Sequence, residues 1–152
     1  MRFSMDDMNN TDLARRALLA ALACAIALPS VALAQDPRAS EVQGVARAWL
    51  ALVDKLDYPA TWKMAGQRFQ ATIPEDRWAA LLKREREARG ALVQRAVAGT
   101  SFTSQLPAIP EAGHYAMVHF RTSFANEPNA TEDITLEQGP DSTWRILGYV
   151  IH

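Results

Sequence analysis

Cysteine is almost absent from this chain, with Cys24 its only example. A lone thiol rules out an internal disulfide and any cysteine-built metal or redox centre. Histidine is nearly as scarce. His114, His119 and His152 are the only imidazoles, and no two stand at the H-x-x-x-H spacing of a helical zinc site. The expectation is therefore no metal and no cofactor. A surplus of one charge is missing too: 16 Lys and Arg face 17 Asp and Glu, for a formal net charge of −1. No cluster of basic residues interleaves with aromatics, which excludes a nucleic-acid partner. Ser101, Thr103 and Ser104 lack the G-x-S-x-G frame of a nucleophile elbow.

Long apolar runs are represented once, by Ala17–Leu28. A membrane span takes about 20 such residues, so this run is too short. Arg15-Arg16 precede it, Pro29-Ser30 end it, and Ala32-Leu33-Ala34 place small residues at alternate positions. Those are the parts of a secretory signal cleaved after Ala34. Ala17-Leu18-Leu19 after the arginine pair fits general secretion better than twin-arginine export. The expected organisation is residues 1–34 as signal peptide, 35–39 as flexible leader and 40–152 as one domain, periplasmic or secreted. Cys24 leaves with the signal, and nothing then attaches the chain to a membrane.

What remains is close to half hydrophobic, sufficient for a real core. Ser40 is the expected N-cap of a helix running to about Leu56, with Val42, Val45, Ala46, Trp49, Leu50, Leu52 and Val53 at helical spacing. Asp57-Tyr58-Pro59 breaks it, and a short second helix, 60–66, carries Trp62. Thr72-Ile73-Pro74-Glu75 has the form of a capping box opening a third helix that Gly90 ends. Its apolar stripe is Trp78, Leu81 and Leu82, leaving Lys83, Arg84, Glu85, Arg86, Glu87 and Arg89 wet.

Beyond Gly90 the period becomes two. Strands are expected at 92–103 (bent at Gly99), 114–124, 130–137 and 143–151, joined by a proline loop and two tight turns. In the second strand Ala116, Val118, Phe120, Thr122 and Phe124 alternate with Tyr115, Met117, His119, Arg121 and Ser123. One face is mostly apolar and the other mixed, as in a sheet covered on one side. In the last strand the alternation puts Trp144 and Ile146 on one side and Leu147, Tyr149 and Ile151 on the other. The expected class is α+β: three N-terminal helices packed on one face of a curved four-stranded antiparallel sheet.

Leu52-Val53-Asp54, Asp57-Tyr58 and Trp62, then Phe69, Trp78, Arg89-Gly90 and Arg95, form a series of spaced blocks. Leu106-Pro107, Pro110, Gly113-His114-Tyr115, Phe120–Phe124, Thr135-Leu136, Trp144-Arg145 and Gly148-Tyr149 continue it. Together they resemble the small exported bacterial proteins called domain of unknown function 4019, over essentially the whole chain after Ala34. Leu56 departs from the pattern, which usually has a small residue before the Asp-Tyr pair. The resemblance implies a cone-like helix-and-sheet fold similar to the nuclear transport factor 2 and cystatin-like group. It brings no activity and no catalytic residues.

Two kinds of site are open. Trp49, Asp54, Asp57, Tyr58, Trp62, Trp78 and Phe120 are the candidates to line a pocket for a small apolar ligand. The tryptophans serve a core equally well. Asp54 and Asp57 form a possible acid–base pair, yet Asp57 also fits as a helix cap and Asp54 as a partner of the turn. Tyr115, Met117, His119 and Arg121, on the mixed sheet face, are the candidates for an interface, a homodimer being the simplest. The expected function is a non-enzymatic ligand-binding or interaction module. The alternative is a small lyase, isomerase or hydrolase using Asp54, Asp57 or His114 inside the cone.

Overall fold

The computed structural model describes residues 36–152. The expected signal segment lies outside the described residues. Helix α1 is Pro37–Asp54, α2 Tyr58–Met64, α3 Gln67–Thr72 and α4 Glu75–Arg89. Four strands follow: β1 Leu92–Thr103, β2 Tyr115–Phe124, β3 Ala130–Gln138 and β4 Trp144–Ile151.

Helix α1 begins earlier than Ser40. The Asp36 side chain accepts from the Arg38 N–H at 2.9 Å and Pro37 occupies the first turn. An Asx cap followed by proline is a strong start signal, so most of the expected loose leader is helical. Val42, Ala46, Trp49, Leu50 and Val53 form the buried stripe of α1. The helix ends at Asp54, and two residues on, in the turn, Leu56 takes a left-handed φ of 61°. Asp57 then caps α2 as expected, accepting from the Ala60 N–H at 3.2 Å.

The described residues contain four helices where the sequence predicts three. The extra one is α3, and its capping-box reading is a correction. Thr72 Oγ1 donates back to Arg68 O at 2.8 Å, so Thr72 closes α3 rather than capping α4. Pro74 is the N-cap of α4 and makes no side-chain cap bond. Glu75 and Asp76 in the first turn and Arg86 and Arg89 in the last suit the helix dipole. Gly90, at φ 76°, ends the helix as predicted. The β2–β3 turn covers that end, with Asn126 N–H donating to Arg89 O at 2.9 Å.

The strands form an antiparallel meander in the order β1-β2-β3-β4, an unclosed sheet with β1 and β4 at its edges. Register slips occur at Leu92/Gln94 and Val97/Gly99 in β1, and at the Thr135/Leu136 step between β3 and β4. Such bulges bend a sheet and raise its twist. The predicted alternation of β2 holds: Val118 and Phe120 are buried while Arg121 is exposed. Helices cover the face formed by Ala116, Val118, Phe120, Ile134, Leu136 and Ile146, with α1 packed on β1, β2 and β4. Burying each large side chain there contributes about 1.5–3 kcal/mol. Gly66 ties the helices to the sheet, its N–H donating to Ile146 O at 2.8 Å.

One bulge overturns an expectation. Leu136 pairs with Ile146 and Thr135 with Gly148, so Leu147 is the extra residue. The slip returns Tyr149 to the helix-covered side, where its ring meets the edge of Trp49 at 5.0 Å.

Candidate functional site

The tryptophans settle into the core rather than around a void. Trp49 is fully buried and donates to Thr61 O at 2.9 Å. Trp78 donates to Thr61 Oγ1 at 2.9 Å, and Trp62 to Ile73 O at 2.8 Å. Phe69 meets Trp78 edge-on at 4.9 Å. These three indole N–H groups find acceptors as their rings pack inward, the economical way to bury Trp, whereas the Nε1 of Trp144 is buried without one. Tyr58 is buried beside them, and burial pushes its phenol above the usual value, with Glu87 adding to the effect.

Apart from Asp54, the chemistry of the interior comes from residues outside the candidate sets. Glu132 on β3 is completely buried. Its Oε2 accepts from Arg95 Nε at 2.5 Å and from Thr122 Oγ1 at 2.6 Å. Its Oε1 accepts from Arg95 Nη2 at 3.1 Å and from the Tyr149 hydroxyl at 2.5 Å. Arg95 also donates Nη1 to Asp54 Oδ2 at 2.6 Å and Nη2 to Asp54 Oδ1 at 3.0 Å. Arg86 joins from α4, with Nη2 on Asp54 Oδ1 at 3.1 Å and its guanidinium 4.4 Å above the Phe124 ring. Two carboxylates thus face two guanidiniums, and the set is neutral.

Nearly every carboxylate lone pair in the set is used, which makes burying the anions tolerable, while Nε and Nη1 of Arg86 are buried without a hydrogen-bond acceptor. Burial opposes the charge on Arg95, but its hydrogen bonds to Asp54 and Glu132 outweigh it and raise its pKa. Burial, then the neighbouring Glu132, raises that of Tyr149, which therefore stays a neutral donor. Asp54 is not the turn partner that its place at the helix end suggests. It is the bridge between Arg95 and Arg86.

A hollow of about 200 Å³ opens against this network, lined by Arg47, Leu50, Ala51, Asp54, Arg95, Val97 and Phe120. Of the seven pocket candidates, Asp54 and Phe120 are there. Trp78 lines a separate hollow of about 190 Å³ with Leu81, Leu82 and Tyr149. Asp57 and His114 are exposed, away from the interior. A larger rim hollow, about 800 Å³, lies between the start of α3 and the β3–β4 turn, where Arg145 and Asp141 hold each other at 2.6 Å.

On the open sheet face, Met117 and His119 are half-buried and Arg121 is exposed. Tyr115 is not available there, a correction to the interface set. It is 1% exposed, beneath the β1–β2 loop, its hydroxyl donating to Glu111 O at 3.2 Å. His119 Nδ1 lies 2.7 Å from Asp133 Oδ1, and His152 Nε2 lies 3.3 Å from Asp133 Oδ2.

Arg86, Arg95 and Tyr149 had signals that were missed, whereas the alternation of β3 already sets Glu132 on the side of Ile134 and Leu136. Arg86 follows Trp78 and Leu82 at four-residue steps, continuing the buried stripe rather than the wet side. Arg95 and Glu132 each stand two residues before an inward-facing apolar residue, Val97 and Ile134. Tyr149 was hidden by the bulge.

These features define an α+β protein in which an antiparallel meander is covered on one face by helices. The chain belongs to a family whose members are described as proteins of unknown function (DUF4019), matched over residues 45–149. No curated protein matches it. Among solved structures it is similar to ActVI-ORFA from Streptomyces coelicolor, at 13% identity and a TM-score of 0.48, over 77% of this chain and 97% of that one. Among the described residues no helix is long and apolar enough to cross a membrane.

Proposed function

We propose that the chain is an exported, non-enzymatic binding module, with its site in the hollow between α1 and the β1–β2 pair. The observation that carries this reading is the wall formed by Asp54 and Arg95. It is bonded on both sides and built from guanidiniums and carboxylates already paired with one another. General acid–base catalysis wants a group that exchanges protons near the working pH. Asp54 is engaged by two cations, while Asp57 and His114 face solvent. A preorganised polar wall beside Leu50, Val97 and Phe120 suits a small, mainly apolar ligand instead. The helices and bent sheet support reading the fold as the cone of the nuclear transport factor 2 and cystatin-like group.

The test is native mass spectrometry of protein recovered from an exporting bacterial host. The expected result is a chain beginning at Gln35, with a small molecule released on denaturation. An unprocessed cytoplasmic chain would remove the export part of the reading. Binding unchanged by Ala51→Trp, which fills the hollow, would remove the site.

A second copy on the open face is the favoured partner. Cationic Arg121 pairs with Thr131, two residues along β3 from anionic Asp133, a pairing of opposite charges that a two-fold contact can use twice. Sedimentation of wild type against Met117→Asp tests it. A wild-type monomer at high micromolar concentration excludes it.

A further inference from the structure

We propose that the hollow selects a small apolar monocarboxylate, and that Arg47 takes the carboxylate. This names the ligand class for the site above and rests on the reading of that hollow as a binding site.

Arg47, Leu50, Ala51 and Asp54 follow one another at i, i+3, i+4 and i+7, and all line the hollow from α1. At about 1.5 Å per residue, Arg47 and Asp54 stand about 10 Å apart along the helix. The hollow therefore has two ends of different character. At the inner end the charges cancel: Asp54 accepts from Arg95 at 2.6 and 3.0 Å. At the outer end Arg47 is exposed and forms no ion pair among the described residues. Between the ends lie Leu50, Val97 and Phe120, with Leu50 and Phe120 each 1% exposed.

That arrangement discriminates by charge. A ligand lying along the apolar strip meets one uncompensated cation, at the mouth. A single carboxylate there gains a partner that can offer a bidentate fork. A second carboxylate at the other end of the ligand is pushed toward Asp54. An ammonium at the mouth meets Arg47 as a like charge. The inner wall offers little to either, because Arg95 has already committed four of its five N–H groups. The space, about 200 Å³, holds roughly seven water-sized groups at about 30 Å³ each. Phenylacetate fits that description.

The experiment titrates the purified protein with phenylacetate, phenylacetamide and phenethylamine, following amide chemical shifts of Leu50, Val97 and Phe120. Wild type should bind phenylacetate at least tenfold more tightly than phenylacetamide, and phenethylamine more weakly still. Arg47→Gln should make the acid and the amide equal without lowering the melting temperature, since Arg47 is a surface residue. Ala51→Trp should abolish binding of all three. Equal binding of acid and amide to wild type, or a preference that survives Arg47→Gln, overturns the assignment of the carboxylate to Arg47 and leaves the hollow as a site. No shift with any of the three probes, or shifts unchanged by Ala51→Trp, overturns the binding site itself.

Discussion

The two faces of the sheet hold the same kind of chemistry under opposite conditions. On the helix-covered face Glu132 is sealed from water with four hydrogen bonds. One residue further along the same strand, Asp133 sits on the open face between His119 and His152 with a side chain 36% exposed. Adjacent carboxylates on one strand are thus separated by the pleat into two dielectric worlds. The buried one is structural by necessity, because a charge there has no alternative partner. The exposed one is free to change partners.

The sharpest way to break this comparison is to neutralise each carboxylate in turn. Glu132→Gln leaves Arg95 and Arg86 in the interior with only Asp54, and should cost about 3–5 kcal/mol in urea unfolding. Asp133→Asn should cost less than about 1 kcal/mol. A Glu132→Gln loss no larger than that of Asp133→Asn would show that water reaches the network. Replacing Asp54, Arg86, Arg95 and Glu132 together by apolar residues of similar volume should recover much of the loss, since a buried ion set contributes more to specificity than to stability.

Tyr149→Phe is next in size. It deletes a hydrogen bond to a buried anion and should cost about 2 kcal/mol. The wild-type phenol also predicts an alkaline limb. Its folded pKa is raised above the ordinary 10.0, by burial first and then by Glu132. The contribution is therefore intact below about pH 10 and declines as pH rises from there, because only the unfolded chain can then release the proton. Unfolding followed from pH 8 to 11 should show that decline in wild type and a shallower one in Tyr149→Phe.

How much of this was legible in advance divides along physical lines. Most strand and helix positions follow from period, and β1 matches its expected span even though its register slips at Leu92/Gln94 and Val97/Gly99. The face of β2 was also readable, since one alternation runs unbroken through it. The side of Tyr149 was not, because a single extra residue at Leu147 inverts every assignment after it, and a bulge leaves no compositional mark. The ion network was not recognised for a different reason. Arg86, Arg95 and Glu132 are individually ordinary surface residues, and only a tertiary arrangement that brings α1, α4, β1 and β3 together makes their burial tolerable. Asp54 shows the mixed case: its local position suggested a turn, and its long-range partners decided otherwise.

The smallest effect concerns a residue far from both faces. Leu56 adopts φ 61° in the turn between α1 and α2 and is 57% exposed. Its side chain buries little there, so nothing in the core offsets the left-handed backbone, which costs about 1–2 kcal/mol for a residue with a Cβ. Glycine removes that cost but adds conformational freedom to the unfolded chain, worth about 0.5–1 kcal/mol in the opposite direction. The strain term wins narrowly, so Leu56→Gly should raise stability by about 0.5 kcal/mol. The turn itself favours the change: Leu56 N–H donates to Val53 O at 3.0 Å and Asp57 N–H to Leu52 O at 3.0 Å, both main-chain bonds that glycine keeps. A melting temperature lowered by Leu56→Gly would mean that the exposed leucine makes contacts across the turn that outweigh its backbone strain.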